Sequence, residues 1–232
     1  MSVAAIHRRL EGAGSPARAA VTQRFFKTGA GEYGAGDRFL GIRVPTIRSF
    51  AREYQGLSLS GVAALLRSSW HEERLLALLI LVRQYARGDT SRRDAIYRLY
   101  LKSTSRINNW DLVDCSAEYI VGAHMGDGDW RALARLAKSQ RLWERRIAII
   151  STFQHIKRGR FAATLRVARL LLDDPHDLIH KAVGWMLREV GKRDRAVAER
   201  FLSRHGKRMP RTMLRYAIER FPPALRRRYL AA

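Results

Sequence analysis

The chain has 232 residues, 47% hydrophobic and 28% charged, enough apolar material to bury the core of one globular or repeat domain. Its formal net charge is +23, from 44 Lys and Arg against 21 Asp and Glu, and Arg outnumbers Lys 37 to 7. So large an excess points to a polyanionic partner, nucleic acid first, because Arg forks onto phosphate oxygens better than Lys does.

Cys115 is the single cysteine, which excludes an intrachain disulfide and a Cys-based zinc site and fits a reducing cytoplasm. The Met1 to Arg9 stretch has no long apolar core after its charges, so a signal peptide is not expected. The apolar run Leu75 to Val82 is far short of the roughly 20 residues that span a bilayer.

Residues 3–11 and 15–27 read as two short helices, broken at Gly12, Gly14 and Pro16. Four glycines in 28–37 then argue for a loop; it lacks the Gly-Lys-Ser/Thr ending of a phosphate-binding loop and follows no strand. After Pro45 the pattern turns helical. Ile47, Phe50, Ala51 and Tyr54 share one face, and Ser58 or Ser60 can cap the next helix, with Val62, Leu65 and Leu66 inward. The stretch from Glu72 to Tyr85 is apolar enough to be buried on most sides, and Arg92 to Leu101 is amphipathic. Further helices are expected near 109–124, 128–138, 142–157, 160–172, 175–191, 194–205, 209–221 and 223–230. No stretch alternates in the manner of a strand, so the chain reads as all-α.

The helices pair, and the pairs repeat. Aligning Arg74, Asp114, Arg146 and Lys181 gives spacings of 40, 32 and 35 residues, the length of a helix-pair repeat. The expected architecture is a single domain over 1–232, a right-handed solenoid of HEAT-like or armadillo-like repeats. It would comprise N-terminal helices and a Gly-rich loop (1–37), repeats (38–222) and a basic end (223–232). Its second helices would line a concave basic groove, with the four aligned residues in a row along it.

Three stretches carry the chemistry: Asn109-Trp110-Asp111-Leu112-Val113-Asp114, Trp143-Glu144-Arg145-Arg146 and Lys181 to Arg188. Trp110 and Asp114 are four apart and share a helix face. Trp185 lies between Lys181 and Arg188, and Arg146, Ile150, Phe153 and Lys157 form a second stripe with cations at both ends. A carboxylate in a positive groove repels phosphate, so it needs a purpose. An Asp aimed at a deoxyribose stabilises the oxocarbenium-like transition state of glycosidic hydrolysis and can orient the attacking water. Trp faces attract a cationic nucleoside. A base already made cationic by alkylation leaves without a general acid, so one Asp suffices.

From about Phe39 to Phe221 the chain resembles the bacterial DNA alkylation repair glycosylases of the AlkD family, which are built of HEAT-like repeats. The resemblance is carried by Phe39-Leu40-Gly41-Ile42-Arg43-Val44-Pro45, Asn108 to Asp114, Trp143 to Ala148, and Lys181 to Glu189. It implies excision of N3- and N7-alkylated purines from duplex DNA without a base-flipping pocket. The family's catalytic Asp falls on Asp114, its two nucleotide-contacting Trp on Trp110 and Trp185, and its DNA-contacting Arg on Arg146 and Arg188. With Lys181, Lys157 and Arg145 these form the expected DNA-binding set. No metal, no cofactor and a cytoplasmic, nucleoid-associated monomer are expected. Asn109 stands where some members carry another Trp, Phe25 stands near a position that can be Tyr, and the Gly-rich segment is longer than in some relatives.

His176 and His180 have the spacing of a metal pair, but no Glu follows His176 as in the zinc-hydrolase motif. Pro175 instead suggests a helix start with Asp174 as cap. Arg204, Lys207, Arg208, Arg211 and Arg215 span a helix junction and could hold phosphate. Two alternatives stay open: a solenoid that binds distorted or branched DNA without chemistry, and a protein-interaction solenoid.

Overall fold

Several helices begin where the sequence supplies a side-chain acceptor or a proline. Ser2 starts α1 (Val3–Ala13), and Ser15, followed by Pro16, starts α2 (Pro16–Phe25). α3 (Val44–Glu53) has Pro45 in its first turn, Ser58 caps α4 (Leu59–Leu66), α5 (His71–Arg87) follows, and Asp89 caps α6 (Thr90–Lys102). A 3-10 turn, Thr104–Arg106, leads into α7 (Trp110–Asp114), a single turn capped by Asn109. The segment between α2 and α3 is the expected loop, with Gly31 and Gly36 at positive φ, where glycine carries no steric penalty. The structure, a computed structural model, describes residues 2–126 and 130–231.

After a π-helical turn, Glu118–Gly122, come α8 (Arg131–Ala137), α9 (Leu142–Ser151), α10 (Phe153–Lys157), α11 (Ala162–Leu170), α12 (Asp177–Arg193), α13 (Arg195–His205), a 3-10 turn Gly206–Arg208, α14 (Arg211–Ala217) and α15 (Pro223–Ala231). No strand occurs among the described residues, where β-type contact is limited to an isolated bridge between Arg38 and Trp70. The all-α, helix-pair organisation read from the periodicity is the one observed. The start of the helix expected at 128–138 lies outside the described residues at 128 and 129.

Two expected helices are broken, and the breaks have causes. The helix expected over 109–124 stops at Asp114, because Ser116 Oγ donates to the Leu112 carbonyl at 2.6 Å and bonds the Tyr100 hydroxyl at 2.9 Å. That side chain takes the carbonyl a continuing helix would use. The helix expected over 142–157 breaks at Thr152, whose hydroxyl donates to the Ile149 carbonyl at 2.7 Å.

The chain divides into two compact units, Met1–Ile120 and Val121–Ala232. In the first, α5 packs against α3, α4, α6 and α7. Its core includes Ile6, Leu10, Ile47, Leu65, Leu76, Leu78, Ile80, Leu81, Ile96 and Tyr100, all buried. In the second, α12 packs against α9, α11, α13 and α14. Ile147, Ile149, Val183, Met186, Leu187 and Met213 fill the space between them. Each such side chain contributes roughly 1.5–3 kcal/mol by leaving water. α12 and α14 approach closely because position 184 is glycine: a Cβ there would stand 2.5 Å from the Met213 carbonyl oxygen. No helix among the described residues is long and apolar enough to cross a membrane.

Candidate functional site

The single turn α7 carries Trp110 at its start and Asp114 at its end, both half-buried, so the structure brings this pair together on one helical turn as the spacing predicts. A five-residue helix has almost no intrinsic stability, so its place is imposed by its surroundings. Leu112 and Val113 are fully buried beneath it. Asn109 is also fully buried, and its side-chain oxygen accepts from the Trp110 N–H at 2.8 Å. An asparagine fits this position as the cap of α7, which gives the departure from a Trp a local reason. The Asp114 charge adds to burial in pushing up the buried Tyr100 phenol.

Beneath this turn lies a chain of ionic and aromatic contacts that the sequence reading did not single out. His71, at the start of α5, meets Asp111 of α7 through Nε2 at 2.8 Å and Asp37, at the end of the Gly-rich loop, through Nδ1 at 3.2 Å. Asp37 also bonds Asn108 Nδ2 at 2.8 Å and pairs with Arg74 at 2.7 Å. Burial disfavours the His71 cation, but the Asp111 and Asp37 carboxylates outweigh it and hold the pKa up at about 9. Burial likewise works against the Asp37 anion, and bonds from His71, Arg74 and Asn108 overcome it, holding that carboxyl below its ordinary value. The His71 ring stacks on Phe39 at 4.5 Å and tilts against Phe26 at 5.1 Å, and Phe26 in turn stacks on Trp110 at 5.2 Å. Phe25, 64% exposed, meets the Trp110 ring edge-on at 6.0 Å.

The aligned row from the repeat analysis is corrected here. Arg74 does not line a surface: it is buried, because Asp37 neutralises it and the Ser68 carbonyl accepts from its Nη1 at 2.8 Å. The neighbouring Glu72 is buried too, and its carboxylate accepts the backbone N–H groups of Leu40, Gly41 and Ile42 at 2.9, 2.8 and 3.2 Å. These bonds fix the Phe39-Leu40-Gly41-Ile42 segment to α5.

The remaining expected site residues belong to the second unit. Trp185, on α12, is half-buried and meets Phe153 of α10 edge-on at 6.0 Å. Lys157 is exposed, with its ammonium 4.6 Å from the Phe153 ring centre. Lys181 pairs with Asp177 one turn earlier at 2.7 Å. Arg188 is half-buried and bonds Glu219 of α14. Arg146 is buried and donates to the Leu178 carbonyl at 2.7 Å, bridging α9 to α12. Arg145 pairs with Asp174 at 2.6 Å and donates to the Ser139 and Gln140 carbonyls. The helix after Pro175 is capped by His176, whose Nδ1 accepts from the Leu178 N–H at 3.1 Å, and not by Asp174 as expected. Asp174 instead accepts the His176 N–H at 2.9 Å while holding Arg145. His180 bonds the Asp174 carbonyl. Among the described residues no three His, Cys, Asp or Glu side chains gather as they would around a metal ion.

The sequence model of the DNA alkylation repair enzyme family matches residues 6–221. The chain belongs to that family. The match takes in both units, and with them the α7 turn, Trp185 and the cations around it. Among solved structures, the chain is similar to a predicted DNA alkylation repair enzyme from Enterococcus faecalis, with a TM-score of 0.69 at 15% identity, covering 90% of this chain and 97% of that one. At that identity the likeness is one of fold. No curated protein matches the chain. Family membership makes DNA the substrate class and gives the charge of +23 its polyanionic counterpart.

Proposed function

We propose that the protein is a monofunctional DNA glycosylase of the AlkD type, hydrolysing the N-glycosidic bond of cationic N3- and N7-alkylated purines in duplex DNA. The observation that carries this reading is the α7 turn, which sets Asp114 one helical turn from Trp110 in a chain of the alkylation repair family. Asp114 stabilises the positive charge that develops on the deoxyribose and orients the water that attacks it. Trp110 and Trp185 offer ring faces to the cationic nucleotide. The base leaves as a neutral purine, so no general acid is required, and uncharged normal bases stay in place because they lack that leaving ability.

Around the HEAT-like repeats, Lys157 and Lys181, whose side chains reach solvent, carry phosphate contacts together with Arg188, which is part-covered and paired with Glu219. Arg145 and Arg146 belong to the same basic set but act chiefly by fixing α9, through Asp174 and the Leu178 carbonyl. The test is product analysis on a methylated duplex. The reading expects free 7-methylguanine and 3-methyladenine with the strand left intact at an abasic site. Tight binding with no base released would favour a module that recognises distorted DNA, and strand cleavage coupled to release would contradict the monofunctional mechanism.

A further inference from the structure

The α7 turn cannot hold itself, and the charged bond that anchors its first turn runs to a histidine outside the proposed chemistry. Four segments meet at that residue: the loop ending in Asp37, the start of α5, the Phe26–Phe39 aromatic pair, and α7. Both imidazole nitrogens face carboxylates, Asp37 at Nδ1 and Asp111 at Nε2. A neutral imidazole has one N–H and can satisfy only one of them, whereas the imidazolium donates to both. Arg74 stands beside them on α5, and the charge of Arg106, in the 3-10 turn, disfavours the Arg74 cation. The two carboxylates, the imidazolium and Arg74 sum to zero, so deprotonating His71 leaves a net negative charge in a buried site.

We propose that His71 is a positioning residue for the Asp114 site. Clamped as an imidazolium between Asp37 and Asp111, it fixes the backbone of α7, and with it Asp114; through Phe26 it also fixes the ring plane of Trp110. This rests on the glycosylase reading and adds to it a protonation-dependent control of the catalytic turn. Losing the imidazolium frees Asp111 from its cation and loosens the stack that ends at Trp110, while every phosphate-binding cation of the second unit is untouched. The predicted signature is therefore a fall in base-release rate with DNA affinity retained.

The discriminating variant is Asp111→Asn. It keeps an oxygen for the Nε2–H and removes the charge that sustains the imidazolium, so His71 loses its proton at lower pH. Single-turnover release of 7-methylguanine is followed against pH for the native protein and the variant, with duplex affinity measured alongside. The expected result is an alkaline fall in rate that moves by about one pH unit or more toward neutrality in the variant, at unchanged affinity. Titration of the substrate is common to both proteins and cancels in the comparison. A profile unmoved by the substitution overturns the proposal. An inactive native protein would count against the glycosylase reading and leave this clamp to be judged by spectroscopy. With 5-fluorotryptophan incorporated and its resonance assigned by Trp110→Phe, the Trp110 fluorine signal should titrate together with the His71 ring nitrogens. Independence of the two signals overturns the clamp whatever the activity.

Discussion

Replacing His71 by Gln should remove a stabilisation that depends on pH in a defined direction. The folded-state pKa is raised to about 9 from an ordinary 6.5, because the carboxylates of Asp37 and Asp111 outweigh the burial penalty. A raised histidine contributes its full stabilisation below the unfolded pKa and loses it as pH climbs through the folded one. The gap of about 2.5 pH units, at about 1.4 kcal/mol each, makes the full contribution roughly 3–4 kcal/mol well below pH 6.5. Near pH 7 most of it remains, near pH 8 less than half, and above about pH 10 almost none. The assay is urea denaturation of native protein and His71→Gln across that range, read as the difference between them. Tyrosines and the cysteine, which also titrate at high pH, are present in both proteins and cancel in that difference. The lost ring packing adds an offset that does not vary with pH. The difference should shrink by roughly 2–3 kcal/mol between about pH 7 and pH 10. A difference that stays constant across that range would refute the charged state of His71 and the balance of forces argued for it.

Gly184→Ala should destabilise the protein by about 1–3 kcal/mol, seen as a lower Tm, since the new methyl meets the Met213 carbonyl at 2.5 Å. Glu72→Gln should lower the denaturation midpoint by a comparable amount, about 1–3 kcal/mol, because an amide offers one acceptor oxygen where three backbone N–H groups converge on a carboxylate. Lys157→Ala should reduce the slope of log affinity against log salt by about 0.9 for one lost phosphate contact, leaving the single-turnover rate of bound substrate unchanged. An unaltered slope would remove Lys157 from the interface.

Much of this was legible in the sequence because it rests on local rules. The periods of Ile47, Ala51 and Tyr54, and of Val62, Leu65 and Leu66, mark faces that are buried almost throughout. Ser58 caps the helix its position announces, and the glycines of 28–37 form a loop. The four-residue spacing of Trp110 and Asp114 falls on one turn. What escaped the reading depends on partners distant in sequence. His71, Glu72, Glu73 and Arg74 are four consecutive ionisable residues at 2–4% exposure, where periodicity alone would send charge to solvent. Each is compensated from elsewhere: His71 by Asp37 and Asp111, Glu72 by backbone N–H groups at 40–42, Glu73 by His7, and Arg74 by Asp37. The sequence contains these residues but not their pairing. Arg146 shows the same limit: nothing in its type or place reveals that its Nη1 donates to the Leu178 carbonyl and joins α9 to α12. Helix breaks at Ser116 and Thr152 turn on which carbonyl a small hydroxyl chooses, and periodicity does not reveal that choice.

The most direct test of the central claim is single-turnover release of 7-methylguanine by native protein and by Asp114→Asn, with duplex affinity measured for both. The account predicts release by the native protein and a loss of about 100-fold or more in the variant, the scale of removing one preorganised charge from a transition state, with DNA binding retained or slightly tightened as phosphate repulsion falls. Release that survives the substitution unchanged would contradict the assignment of the chemistry to Asp114.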